Sequence, residues 1–388
     1  MSSLRKVSAL ILTGVLATYC AAPSYALEVP SSFLAFSKTA SLSNSGIILI
    51  DPVSNQVVFE NGSEIVRAPA SILKIVSATS ALRTLGPDKT YTTSISATDK
   101  PNKFILTGEG DPWLTTSARD ADRLHRGYLP YLINKALAHS PGVKAISLQY
   151  KNIYFQDIQA IQKFYKGKIK IYPHAITDTA EVQSPLAQVV SPTIGSIVEY
   201  TILWSDNLLA ARLSLMAAKA QGFSSDSNGL QLSFEKLFTD LNISASGLVV
   251  KDGAGLSHET RISAKTIAEL LLRVKTDPSL ETIYSGLPLA GVTGTLRHRF
   301  IKDAPSAIAL IKAKTGWINS TVSLAGYVNV GDHDYVFAVI ADHLANKESV
   351  RQNARVAIDK MLATIAKPAP VPTFPEPAPD VTAEPANN

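Results

Sequence analysis

Sulfur is nearly absent from this chain, whose 388 residues include one cysteine, Cys20, and three methionines. If Cys20 leaves with a leader, the mature chain has no disulfide, no thiolate metal site and no cysteine nucleophile. Charged residues are sparse at 18%, and no run of Lys and Arg with interleaved aromatics occurs, which argues against a nucleic-acid partner. The formal charge of +5 is spread along the chain in mixed signs, a balance that suits an anionic wall surface without identifying one. The seven histidines lack metal-ligand spacing, so neither a metal nor a cofactor is expected. Residues 108–112 carry no phosphate-loop lysine. No apolar run reaches the roughly 20 residues that cross a bilayer, so no stable membrane span is expected.

At the N-terminus, Arg5 and Lys6 precede a nearly apolar run over 7–18, and Ser24-Tyr25-Ala26 offers small residues where a signal peptidase reads. This is the secretory pattern: residues 1–26 are expected to be a signal peptide, and the protein to be exported to an extracytoplasmic place (cell envelope, periplasm or medium). A lipoprotein reading of Cys20 is opposed by the bulky Tyr19 before it. Losing Arg5 and Lys6 lowers the charge to +3. At the other end, seven prolines and no apolar period mark 367–388 as a Pro-rich disordered tail. About 340 residues remain, enough for two cores.

Residues 46–51 read as a buried strand, 52–55 as a turn and 56–60 as a returning strand. Pro69 suits the first turn of a helix, whose apolar positions continue from Ile72 to Leu82 before Gly86-Pro87. Between 89 and 190 short strands prevail (91–96, 104–107, 145–150, 168–172) with one helical stretch near 120–138, as in an inserted accessory lobe. Helical spacing returns over 195–221 and 232–241, and Ser263 caps a helix to 274. Three strands, 307–313, 321–330 and 335–342, precede a helix over 347–366, with a hairpin turn at 331–334. Two early and three late strands can join in one antiparallel sheet covered by helices. The expected catalytic domain is thus 27–88 plus 191–366, of α+β class, with the accessory lobe at 89–190.

Ser71 and Lys74 lie three residues apart on one face of their helix. Such a lysine can take the serine's proton if burial or nearby cations depress its pKa, and the helix N-terminus stabilises negative charge beside Ser71. The spacing alone is common, recurring at Ser3/Lys6 and Ser233/Lys236. Company distinguishes Ser71. Ser205-Asp206-Asn207 and Lys314-Thr315-Gly316 each occur once, completing in order the set found in penicillin-binding proteins and class A β-lactamases.

Further strings accompany the trio: Pro69-Ala70-Ser71, Gly108-Glu109-Gly110-Asp111-Pro112, Asp252-Gly253-Ala254-Gly255-Leu256-Ser257, Leu287-Pro288-Leu289-Ala290-Gly291-Val292, Gly294-Thr295-Leu296 and Ser323-Leu324-Ala325-Gly326-Tyr327. With them the chain resembles the class C penicillin-binding proteins, the D-alanyl-D-alanine carboxypeptidase/endopeptidase family (peptidase family S13), nearly throughout between leader and tail. The resemblance implies a penicillin-binding-protein/β-lactamase-like transpeptidase fold, with a five-stranded antiparallel sheet flanked by helices and a helical lobe. The 134 residues from Ser71 to Ser205 leave room for one inserted accessory lobe. It also implies a serine hydrolase acting on peptidoglycan stem peptides that end in D-Ala-D-Ala, with or without endopeptidase activity, and inhibited covalently by β-lactam antibiotics. In these terms Ser71 is the nucleophile, Lys74 its base, and Ser205, hydrogen-bonded near Lys74, the relay to the leaving amine. Asn207 holds the substrate amide, Lys314 and Thr315 face the terminal carboxylate, and Gly316 lets the strand approach the substrate. The N–H groups of Ser71 and Trp317 form an oxyanion hole. Trp317 replaces a usual Thr or Ser, and Ala211 a usual acid.

A class A β-lactamase would carry Glu-x-x-Leu-Asn, and the nearest string, Phe238-Thr239-Asp240-Leu241-Asn242, has Phe in the acid's place. A non-catalytic peptidoglycan-binding protein of the same fold would be expected to lose a member of the set, yet Ser71, Lys74, Ser205, Asn207, Lys314 and Thr315 are all present. The glycines of 252–255 read as a tight turn, and Arg297 and Arg299 receive no role.

Overall fold

The computed structural model describes residues 27–177 and 184–370; the expected leader and nearly all of the expected tail lie outside the described residues. In chain order come helix α1 (Ser31–Ser37), strands β1 (Gly46–Ile50) and β2 (Val57–Asn61), helix α2 (Leu73–Leu85), strands β3 (Thr92–Ala97) and β4 (Lys103–Gly108), and helices α3 (Ala118–Leu124) and α4 (Leu129–His139). Strand β5 (Ala145–Lys151), helix α5 (Phe155–Tyr165) and strands β6 (Lys170–Ala175) and β7 (Ala187–Val190) follow. Then come helices α6 (Ile194–Trp204), α7 (Asn207–Ala220), α8 (Ser227–Asp240), α9 (Ala264–Thr276) and α10 (Glu281–Gly286). Strands β8 (Ile311–Ile318), β9 (Thr321–Val330) and β10 (His333–Ala341) and helix α11 (Glu348–Ala363) complete the order.

Strands β2-β1-β10-β9-β8 form an antiparallel five-stranded sheet. Successive side chains of a strand point to opposite faces, and here both faces are covered, so β1 and β10 are apolar without alternation. Ile47 and Leu49 join a core built with Phe33 of α1 and Ile358 of α11. Ile48 and Ile50 join the opposite core, with Val76 of α2 and Ile267 of α9. Each such side chain stabilises the fold by about 1.5–3 kcal/mol.

The second sheet, β6-β5-β4-β3-β7, draws on residues 92–190. Its β4, β5 and β6 run parallel, and parallel neighbours need crossovers, supplied here by α4 and α5. Phe104, Leu132, Leu148 and Ile158 lie in its own core. Arg212 of α7 ties this lobe to the helices. It donates to Asp157 (3.1 Å) and to the Pro112 carbonyl (2.8 Å) and lies 3.9 Å over the Tyr154 ring.

Several expectations shift. The third-last strand runs 311–318 because Pro305–Ala307 forms a 3-10 turn; Lys314 therefore sits in mid-strand. The helix expected over 195–221 is two, α6 and α7, broken where Ser205 adopts φ +59°. Asp206 caps the second, its Oδ1 accepting the Leu209 N–H at 2.9 Å. The single stretch near 120–138 is likewise two helices, and α5 is a further helix beyond the expected elements. Lys367 is not free tail: its N–H donates to the Asn329 carbonyl (2.9 Å) and its carbonyl accepts from Gly331 (3.0 Å). Among the described residues no helix is long and apolar enough to cross a membrane.

Candidate active site

Ser71 sits in the 3-10 turn Ala70–Ile72 that leads into α2. Ala70 has φ +52°, a left-handed conformation unfavourable for alanine. It is clamped from two sides. A Cβ on Gly255 would lie 1.9 Å from the Ala70 carbonyl oxygen, and one on Gly316 would lie 3.0 Å from the Ala70 Cβ and 2.0 Å from Ser323 Oγ. Gly316 therefore makes room for the protein's own nucleophile turn and for Ser323. Ser323 Oγ donates to the Pro69 carbonyl (2.7 Å). Asp342, just past β10, accepts from the Ala68 N–H (2.9 Å) and the Thr321 hydroxyl (2.8 Å), anchoring the approach to Ser71 on the sheet.

Lys74 is fully buried. Its Nζ lies 2.7 Å from Ser71 Oγ, 2.8 Å from Asn207 Oδ1 and 2.6 Å from the Ala254 carbonyl. Burial pushes its pKa down to about 8, against the opposing pull of Asp252 and Asp206. A neutral amine has two N–H donors and one lone pair. The Asn207 and Ala254 oxygens accept only, so the two donors go to them and the lone pair faces the Ser71 hydroxyl, as general-base chemistry requires.

The expectation that Ser205 bonds near Lys74 is corrected by this geometry. Asn207 and Ala254 fill those positions, and among the described residues the Ser205 hydroxyl has no hydrogen bond to Lys74. Ser205 stays at the cleft through its place in the α6–α7 break. The 252–257 loop is likewise more than a turn. Asp252 gathers the N–H groups of Ala254 (2.7 Å), Leu256 (3.2 Å) and Ser257 (2.7 Å), which aims the Ala254 carbonyl at Lys74. Ser77 Oγ holds the loop at the Gly253 carbonyl (2.6 Å).

Strand β8 is the edge of its sheet. Lys314 is fully buried and donates to the Thr315 carbonyl at 3.0 Å. Burial, and then the charge of Lys74, hold its pKa well below the usual lysine value. Thr315 Oγ1 lies 2.9 Å from Thr295 Oγ1. The outer edge of β8 is covered at its start, where the Ala313 N–H donates to Pro288 (2.9 Å) and the Ile311 carbonyl accepts from Ala290 (2.8 Å). Alternate residues of an antiparallel strand turn their N–H and C=O the same way. Those of Thr315 and Trp317 therefore face the open edge beside Ser71. The Trp317 ring, 38% exposed, lies 5.4 Å from the Arg351 guanidinium.

One cleft thus gathers Ser71, Lys74, Asn207, Lys314, Thr315, Gly316 and Trp317. Phe238 is a core residue of α8, and Asp240 pairs with Lys236 (2.9 Å). Arg299 forms a buried ion pair with Asp359 (2.6 Å). Among the described residues no group of three or more His, Cys, Asp or Glu is placed to hold a metal ion. The residues missing from the sequence reading are Asp252 and Ala254; their signal was the Asp-Gly-Ala-Gly string, legible only as a turn.

The sequence profile of the D-Ala-D-Ala carboxypeptidase 3 (S13) family matches residues 35–164 and 166–365. Carboxypeptidase DacB of Mycolicibacterium smegmatis is 23% identical over 389 residues, covering 86% of this chain and 83% of that protein. Penicillin binding protein 4 (dacB) from Haemophilus influenzae superposes with a TM-score of 0.67 at 16% identity, covering 82% of this chain and 95% of that one. A penicillin G-acylated predatory endopeptidase from Bdellovibrio bacteriovorus gives 0.59 at 14% identity, covering 82% and 90%. The two structures establish a shared fold, the penicillin-binding-protein type. The profile match takes in both sheets and every residue of the Ser71 cleft, so the chain belongs to the D-Ala-D-Ala carboxypeptidase 3 (S13) family.

Proposed function

We propose that this chain is a serine-type D-Ala-D-Ala carboxypeptidase acting on peptidoglycan stem peptides through an acyl-enzyme at Ser71. The observation that carries the reading is the buried Lys74 amine, 2.7 Å from Ser71 Oγ, with its other two positions taken by acceptors. The Ser71 hydroxyl gives its proton to Lys74 as Oγ bonds to the carbonyl carbon between the terminal D-alanines. The resulting oxyanion takes the N–H groups of Ser71 and Trp317, each such donor contributing about 3 kcal/mol to the transition state. Lys74 returns the proton to the leaving amine, the C–N bond breaks, and D-Ala departs. Water then adds to the ester, its proton passing to Lys74 and on to Ser71 Oγ as the shortened stem peptide leaves.

Asn207 uses Oδ1 on Lys74 and keeps its NH₂ group for the substrate's amide carbonyl. Burial, and then the charge of Lys74, lower the Lys314 pKa, and a substrate carboxylate beside it favours the charged form. β-Lactams enter the same path and remain as esters on Ser71. This substrate lies outside the cytoplasmic membrane, which fits the leader-like residues 1–26 and an exported, extracytoplasmic location. Incubation with fluorescent penicillin is expected to yield one adduct, at Ser71 by peptide mass spectrometry and absent in Ser71→Ala, and a pentapeptide should release D-Ala. No adduct and no release from intact protein would overturn the reading. Rapid turnover of a chromogenic cephalosporin without D-Ala release would assign the site to β-lactam hydrolysis instead.

A further inference from the structure

A cavity of about 530 Å³ opens where the accessory lobe meets α2 and α7. These two helices run side by side in the same direction and are joined at both ends. At their starts Lys74 bonds to Asn207 (2.8 Å); at their far ends Gln221, the residue after α7, donates to Thr84 (2.7 Å). The cavity lies at the far ends, lined by Leu85 of α2 and by Leu215, Met216 and Lys219 of α7. At 1.5 Å per helical residue this is about 20 Å from Ser71. Tyr91, Glu109 and Tyr154 supply the opposite wall.

A void left by imperfect packing is apolar; this one carries polar groups that the protein itself does not satisfy. Tyr91 is only 7% exposed, and a buried phenol normally finds a hydrogen-bond partner. Among the described residues neither its hydroxyl nor that of Tyr154 has one, and neither oxygen is sealed from solvent. Burial, then the charges of Glu109 and Asp111, raise the Tyr91 pKa, and burial pushes Tyr154 up to about 12, so both phenols keep their protons as donors. Glu109 and Lys219 are exposed on the same cavity, and among the described residues neither forms an ion pair. A complementary ligand has an ammonium for Glu109, a carboxylate for Lys219 and the phenols, and apolar groups for Leu85, Leu215 and Met216. A lone carboxylate would meet Glu109 unpaired, and a lone amine would meet Lys219. The volume suits a molecule of a few residues. We infer that this cavity is a second ligand site, for a short peptide with free amino and carboxyl ends and apolar side chains. The site stands whether or not Ser71 forms an acyl-enzyme.

The dipeptide leucyl-leucine, titrated calorimetrically into the intact protein, is the probe. It should bind saturably at one site, and N-acetylation or C-amidation of the probe should each weaken binding about tenfold, the scale of one charge-assisted hydrogen bond. Lys219→Ala should erase the cost of amidation, and Glu109→Gln the cost of acetylation; both positions are exposed, so the fold is kept. Tyr91→Phe should weaken binding while leaving the urea midpoint in place, because the hydroxyl it removes has no partner within the protein. Saturating penicillin should not displace the dipeptide. Absence of saturable binding, equal affinity for free and doubly capped dipeptide, or binding indifferent to all three substitutions would overturn the inference. So would displacement by penicillin, which would put the dipeptide in the Ser71 cleft. Failure of wild type to form a penicillin adduct strikes the acyl-enzyme reading instead, and the substitutions still decide this one.

Discussion

If Lys74 is the base, acylation of Ser71 must follow the neutral fraction of one buried amine. With a pKa of about 8, about a tenth of Lys74 is neutral at pH 7, against about one part in three thousand for an ordinary lysine, so burial enlarges the supply of base roughly 300-fold. The acylation rate with penicillin, followed by stopped flow, should rise nearly tenfold per pH unit below pH 7 and level off past about 8. Asp206 offers a directed perturbation. Its charge raises the Lys74 pKa, while its other task, capping α7 at Leu209, is one that asparagine performs about equally well. Asp206→Asn should therefore move the midpoint to lower pH with the helix intact. A midpoint that stays or moves upward, or a rate flat between pH 6 and 9, would refute the assignment. The same depressed pKa acts on stability. The unfolded chain keeps the Lys74 proton up to about 10.5, the folded one only to about 8, so the cost of burying the charge is full below 8 and vanishes as pH rises past 10.5.

Three further outcomes are expected. Gly316→Ala would place a Cβ 2.0 Å from Ser323 Oγ; it should destabilise the protein by about 1–3 kcal/mol in urea titration and slow acylation about a hundredfold by displacing the Ser71 turn. Asp359→Ala strands the buried Arg299 charge, lowering stability by about 3–5 kcal/mol while the folded fraction still acylates at its usual rate; a slowed rate would mean the pair also shapes the cleft. Burial raises the Asp111 carboxyl to about 7, and Asp157 adds to the rise. Its stabilising contribution is present below the unfolded value of 3.8 and lost as pH rises through about 7. Wild type should thus lose thermal stability relative to Asp111→Asn from pH 5 to pH 8, and a constant difference would contradict this.

Ser71 and Lys74 are legible in the sequence because three-residue spacing on a helix settles adjacency by itself. The Ala254 carbonyl is not, since a main-chain acceptor has no side-chain signature. The break between α6 and α7 hides within a continuing apolar period, marked only by Asp206, a residue type that caps helices. The start of β8 is blurred because Ala307 to Leu310 are as apolar as the strand they precede. Helix α5 escapes notice because its buried stripe, Ile158, Ile161 and Tyr165, is interleaved with Gln and Lys. In the main sheet β1, β9 and β10, buried on both faces, are read nearly in place.

The partial cover on the edge of β8 sets a limit on what can dock there. Among the described residues, only 315–318 of this strand is uncovered, with Thr295 at one end and the β8–β9 connection at Asn319-Ser320 at the other. An incoming chain finds two outward-facing residues, Thr315 and Trp317. Unprotected edges usually recruit a second sheet; this one is too short to hold a neighbouring molecule by ladder bonds. Inhibitors lengthened along the strand would stop gaining main-chain contacts after about three residues, so medicinal elaboration has to branch sideways, toward the 252–257 loop.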